Sequence, residues 1–178
     1  MNVPITIEKV KSMTEPTPEF LTSLEDNSYG IHFKGFKIRD IDTGEIFQEF
    51  STDDIHQLDF YADHELNYRF PHSMLKAKKL GSNLTLAVGD NVVKDLFLIE
   101  RHYIDDKLVA SYEFYFPLFM PNSENNVEFI YPMPNQSDDV RKLLDYGEDI
   151  HAKSDTFIFV ENRLIIHRRA KYTYYSNN

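Results

Sequence analysis

The sequence predicts an all-β protein, a two-sheet sandwich with one short crossover helix, and three observations carry that prediction. First, 14% of the residues are aromatic, as 14 Phe and 11 Tyr with no Trp, and these side chains suit pleated, half-buried surfaces. Second, apolar residues recur with a period of two in short runs separated by turn residues. Third, a single internal segment carries clear helix start and stop signals. At 178 residues the chain makes one ordinary domain with room for a single large core.

Residues 1–18, with Pro4, Pro16 and Pro18 among polar side chains, read as a loosely ordered N-terminal arm, and 19–178 as the folded domain. Thr17 is placed to cap a short helix through Glu19, Phe20 and Leu21. Ile31 and Phe33 then alternate with His32 and Lys34, whereas Phe36 and Ile38 alternate with Lys37 and Arg39. This slip of phase at Gly35 predicts a β-bulge, with glycine taking the unusual backbone angles. Asp42-Thr43-Gly44 reads as a turn into a partner strand, Glu45 to Phe50. Leu84, Leu86 and Val88 mark another strand, closed by the turn Gly89-Asp90-Asn91.

Val93 to Ile104 is apolar on both faces, as a central strand between two layers would be. The clearest strand is Ser111 to Met120, with Tyr112, Phe114, Phe116, Leu118 and Met120 on one face. Pro117 cannot donate to a ladder, so that end belongs at an edge or a bulge. The one good helix runs from Asp138 to about Tyr146, capped by Ser137 and stopped at Gly147. Phe157 to Val160, Leu164 to His167 and Tyr172 to Tyr175 complete a mainly antiparallel set that fits a sandwich.

Nineteen basic against 29 acidic residues give a net charge of −10, which disfavours nucleic acid and anionic membrane surfaces as partners. The short basic clusters Lys76/Lys78/Lys79 and Arg168/Arg169/Lys171 read as solvated faces. With no Cys there is no disulfide, thiolate or Cys-bound metal. There is no signal-peptide block, no Gly after Met1, and no apolar run of membrane-spanning length. The expectation is a cytoplasmic protein without stable membrane insertion.

Enzyme chemistry finds little footing. His64 between Asp63 and Glu65, with His72 further on, lacks metal-ligand spacing and reads as a polar loop. No Gly-rich phosphate loop and no nucleophile elbow occur. In Ile99-Glu100-Arg101-His102-Tyr103, Glu100 and His102 share one face. On spacing alone a surface Glu–His pair and a site both remain open. On pattern alone the Tyr112/Phe114/Phe116/Leu118 stripe reads as core in preference to a cavity wall.

Four segments carry a family resemblance: FKIRDIDTG (Phe36 to Gly44), NYRF (Asn67 to Phe70), IERHY (Ile99 to Tyr103) and SDTFIFVENRLIIH…AKYTY (Ser154 to Tyr174). With them the chain, from about Thr17 to Tyr174, resembles the phosphodiesterase delta-subunit family of lipid-binding proteins. It is closer to the branch named for an "uncoordinated" nematode phenotype, whose members bind myristoylated N-termini. The resemblance implies an immunoglobulin-like sandwich with a central hydrophobic lipid cavity and no cofactor or metal. The implied cavity wall is Phe36, Ile38, Tyr68, Phe70, Tyr112, Phe114, Phe116, Tyr131 and Phe157. Glu100, with Tyr68 and His102, falls where members hold the start of the cargo peptide. The chain departs from the family pattern at Pro117, Leu118, Met133 and Ile158.

The implied function is a non-enzymatic carrier of N-myristoylated proteins, with release by a GTP-bound Arf-like small GTPase. The implied setting is the cytoplasm or the base of a cilium or flagellum. The alternatives are a prenyl-group carrier and a protein-interaction sandwich without lipid. Pro117 and the Asp138 helix are expected near the cavity's mouth.

Overall fold

The structure, a computed structural model, describes residues 4–53 and 64–176. In chain order its elements are α1 (Ile7–Ser12), β1 (His32–Asp40), β2 (Ile46–Ser51), β3 (Leu66–Pro71) and α2 (His72–Lys76). There follow β4 (Lys79–Ala87), β5 (Val93–Ile104), β6 (Lys107–Phe119), β7 (Glu124–Pro132), α3 (Asp138–Tyr146), β8 (Ile150–Val160) and β9 (Arg163–Tyr175). The strands form two sheets, a four-stranded one in the order β2-β1-β4-β7 and a five-stranded one in the order β3-β9-β8-β5-β6. All pairings are antiparallel except β3 with β9. The sheets pack face to face, so the fold is the expected β-sandwich. Among the described residues no helix is long and apolar enough to cross a membrane.

Local chemistry explains the junctions. The β1–β2 hairpin turns at Gly44, whose φ of +76° needs a residue without Cβ strain. β1 does slip register between Phe33 and Gly35. The reason for the glycine differs from the expected one, because Gly35 has no positive φ. A Cβ there would stand 2.8 Å from the Phe50 carbonyl oxygen, so glycine is required for close strand approach. Helix α3 has the expected limits: the Ser137 side chain accepts from the Val140 N–H, and Gly147 closes the helix in the left-handed region. It links β7 of one sheet to β8 of the other, as a crossover helix should.

The Ser111 to Met120 stripe needs correction at its far end. Tyr112, Phe114 and Phe116 face inward, but Leu118 and Met120 are 51% and 59% exposed, and Phe119 is buried in their stead. The slip falls at Pro117, on the outer edge of the five-stranded sheet, opposite a β5 irregularity at Asp95 with φ of +50°. Helix α2, directly after NYRF, has no cap or periodic signal in the sequence.

The N-terminal segment is the largest difference from the sequence reading. It carries α1, lies on the outer face of the five-stranded sheet, and buries Val10 against Ile99, Phe157 and Phe159. Those three belong to the odd-numbered face of β5 and β8, opposite the sandwich interior. This arm is the second layer that makes β5 apolar on both sides. Thr17 caps no helix. Its N–H donates to Asp155 Oδ2 at 2.8 Å and its hydroxyl to Oδ1 at 2.7 Å.

Asp155 and His167 organise that contact. The Leu21 N–H donates to His167 Nδ1 at 3.0 Å, so Nδ1 carries no proton and the ring is neutral. Its Nε2–H then donates to Asp155 Oδ1 at 2.9 Å, and the ring stacks on Phe157 with centroids 4.7 Å apart. Arg101 donates from the same face to the Met13 carbonyl. Both Asp155 and His167 are fully buried, so removing one partner strands the others without water.

Asp155→Ala is therefore expected to cost about 3 kcal/mol, seen as a lowered urea midpoint. Amide exchange at Thr17 and Leu21 should accelerate before exchange in β5 does. An unchanged midpoint would show that Val10 and its neighbours dock the arm without the polar network.

Candidate functional site

Half of the sandwich is hollow. Between the sheets lies a cavity of about 200 Å³, far above the roughly 10–15 Å³ that one water requires. Phe33, Phe36, Ile38, Leu80, Leu84 and Tyr131 line it from the four-stranded sheet. Tyr68, Phe70, Leu98, Tyr112, Tyr172 and Tyr174 line it from the other. Met74 and Leu75 of α2 and the 133–136 linker after β7 lie at one end.

The cavity follows from where small and large side chains fall. The middle of the five-stranded sheet points Ala152, Ser154, Thr156 and Ala170 inward, which leaves room. Aromatic pairs around them hold the sheets apart. Tyr68 stacks on Phe70 and Tyr172 at 5.9 and 5.5 Å, and Tyr112 meets Tyr131 across the sandwich at 4.6 Å.

The other half is filled. Phe114 packs on Phe129 with centroids 4.2 Å apart, and Phe116 on Phe119 and Phe129 at 5.4 and 5.7 Å. Buried Leu96, Ile158 and Val160 complete this region. Pro117 sits at this packed end, so it does not border the cavity.

The cavity brings together Phe36, Ile38, Tyr68, Phe70, Tyr112 and Tyr131 with Glu100 and His102. Phe114 and Phe116 fall in the packed half. Phe157 faces the N-terminal arm, because its odd position on β8 points away from the interior. Glu100 and His102 thus lie on the inner face of β5, not on a surface.

Most polar side chains that line the cavity, among them Glu100, His102, Ser154, Thr156 and Arg168, come from the five-stranded sheet. His102 Nε2 lies 3.6 Å from Glu100 Oε2, and this buried nitrogen has no hydrogen-bond partner. Ser154 and Tyr172 share a hydrogen bond of 2.8 Å, and the Tyr112 hydroxyl donates to the Pro132 carbonyl at 2.9 Å. Burial, helped by the Glu100 charge, holds the Tyr131 and Tyr172 phenols well above the usual tyrosine range. They therefore stay neutral donors at physiological pH. Among the described residues no group of three or more His, Cys, Asp or Glu could hold a metal ion. Asp63, of the His64 loop, lies outside the described residues.

Arg168 was missed by the sequence reading, which placed it on a solvated basic face. It lines the cavity, while its neighbours Arg169 and Lys171 pair with Glu65 at 3.5 and 2.5 Å. Strand alternation was the available signal: Arg168 shares a face with Ile166, Ala170, Tyr172 and Tyr174. Ser154 and Thr156 were missed for want of any signal beyond their parity.

A hollow β-sandwich with an aromatic wall and scattered polar groups is a container for an apolar ligand. The family profile "GMP-PDE, delta subunit" matches residues 25–174, and the chain belongs to this family of lipid-binding carriers. It is 35% identical over 175 residues to protein unc-119 homolog B-B of Xenopus laevis, covering 94% of this chain and 72% of that protein. It is 36% identical over 177 residues to protein unc-119 of Caenorhabditis elegans, with 96% and 80% covered. The human unc-119 homolog B is 33% identical over 178 residues, with 94% and 70% covered.

The division into hollow and filled halves has a measurable consequence. Phe114→Ala should behave as an ordinary core truncation, costing ~3–5 kcal/mol in urea unfolding. Tyr172→Phe, in the cavity wall, removes one hydroxyl and should cost only about 1 kcal/mol. Equal costs would mean that the two halves are packed alike.

Proposed function

We propose that the protein carries the N-terminal myristoyl group of client proteins, with the acyl chain in the cavity and the first peptide residues beside Glu100 and His102. The observation that carries this reading is a carboxylate and an unpartnered imidazole nitrogen on the wall of a largely apolar cavity. Burial of each methylene is worth roughly 0.8 kcal/mol, so a myristoyl chain supplies on the order of 10 kcal/mol before ordering costs. That term is blind to what the chain is attached to. Discrimination falls to the polar wall, since a site built to hydrogen-bond penalises a ligand that leaves it unpaired.

A carboxylate only accepts hydrogen bonds, which suits the amide N–H groups at the start of an acylated peptide. Prenyl cargo, joined through a thioether near a C-terminus, offers no such row of donors at the lipid junction. In this reading the carrier extracts its clients from membranes in the cytoplasm and hands them on at the plasma membrane or ciliary base. A GTP-bound Arf-like small GTPase, docking outside the sandwich, releases them.

Native mass spectrometry with acylated and prenylated peptides tests the class. A 1:1 adduct with the myristoylated peptide is expected, and an adduct with the prenylated peptide alone would overturn the choice of cargo. No adduct with either would leave an interaction sandwich. Glu100→Gln keeps the shape while weakening charge-assisted bonds by roughly 1.5–3 kcal/mol. Titration should show myristoyl-peptide affinity falling about tenfold or more, with little change for a fatty acid of equal length. Equal losses for both ligands would mean general damage to the cavity.

A further inference from the structure

Arg168 places a positive charge inside the cavity that carriage of an amide-linked acyl chain does not use. Its position follows from the ladder. Tyr112, Glu100, Thr156 and Arg168 stand opposite one another in a single row across β6, β5, β8 and β9. The next row, Leu98, Ile158 and Ile166, is buried and apolar, and the cavity ends on Leu98. Arg168 therefore stands in the row that borders the packed part of the sandwich.

Its hydrogen-bonding capacity is unspent. The group lies over the Phe33 ring, 4.3 Å from the centroid. A ring face attracts the charge but gives nothing to the donors in the guanidinium plane. Nε is buried without a hydrogen-bond partner, and no described residue makes an ion pair with the side chain. Glu100 stands in the same row two strands away, and the two side chains form no ion pair with each other. Burial pushes the Arg168 pKa down to about 10, so the group remains a cation at neutral pH. With Nε buried and unpaired on a largely apolar wall, the half-buried cation gains from an anion that joins it.

We propose that the cavity also takes free long-chain fatty acids, with the ligand's carboxylate held by Arg168 and its chain lying along Phe36, Tyr68 and Tyr131. The planar fork of a guanidinium matches a carboxylate with two parallel hydrogen bonds. An N-acylated peptide presents donors rather than an anion at the head of its chain, and these go to Glu100. Two positions of one row thus serve headgroups of opposite character. The proposal rests on the reading of this cavity as an acyl-chain site and adds a second ligand class to it.

The test compares tetradecanoic acid, its methyl ester and an N-tetradecanoyl glycyl peptide on the intact chain by calorimetric titration at pH 7.5. The wild type should bind the acid about tenfold or more tighter than the ester, since only the acid is charged. Arg168→Met should abolish that preference while the acyl peptide still binds, and Arg168→Lys should retain part of it. Equal binding of acid and ester by the wild type overturns the proposal without any variant. A preference that survives in Arg168→Met overturns it as well. Peptide binding without acid preference leaves the carrier reading standing, whereas no binding of any of the three ligands overturns both.

Discussion

The site depends on one constraint, the pairing register of β5 within the five-stranded sheet. Its even residues Leu98, Glu100 and His102 face the cavity, and its odd residues Ile99 and Arg101 face the N-terminal arm. A slip of one residue would exchange the two sets, sending Arg101 inward and Glu100 beneath the arm. The register is held from both sides. Phe157 stacks on His167 on the outer face, and Arg101 donates to Met13 there. On the inner face His102 packs edge-on against Tyr112 at 5.8 Å. The arm, which shares no residue with the cavity, thereby helps decide which side chains line it.

The sandwich separates stability from binding along its length. Phe114, Phe116, Phe119 and Phe129 fill one half in ring contacts like those of any well-packed core. In the other half, rings from opposing sheets meet at the periphery and small side chains occupy the centre.

Charge in the cavity is sparse and placed. Glu100 and Arg168 stand in the same ladder row two strands apart and form no ion pair with each other. Held apart, each keeps its own hydrogen-bonding capacity in a low-dielectric space, where a polar group is strengthened by a partner and penalised without one.

Much of this was legible in the sequence. Period-two runs and turn residues determined an all-β sandwich, the Gly44 hairpin, helix α3 with its Ser137 and Gly147 limits, and the bulge near Gly35. Local chemistry governs all of these. The quoted motifs also marked Phe36, Ile38, Tyr68, Phe70, Glu100 and His102, which the fold does gather at one cavity. What only the tertiary structure decided is which face of each strand meets which layer. Parity sets Phe157 apart from Ile158, but nothing local says that the odd side of β8 lies beneath an arm more than a hundred residues away in sequence. Thr17 finds Asp155, and Arg168 turns inward from a basic cluster, for the same reason. A strand has two equivalent faces until long-range packing assigns one of them to the interior.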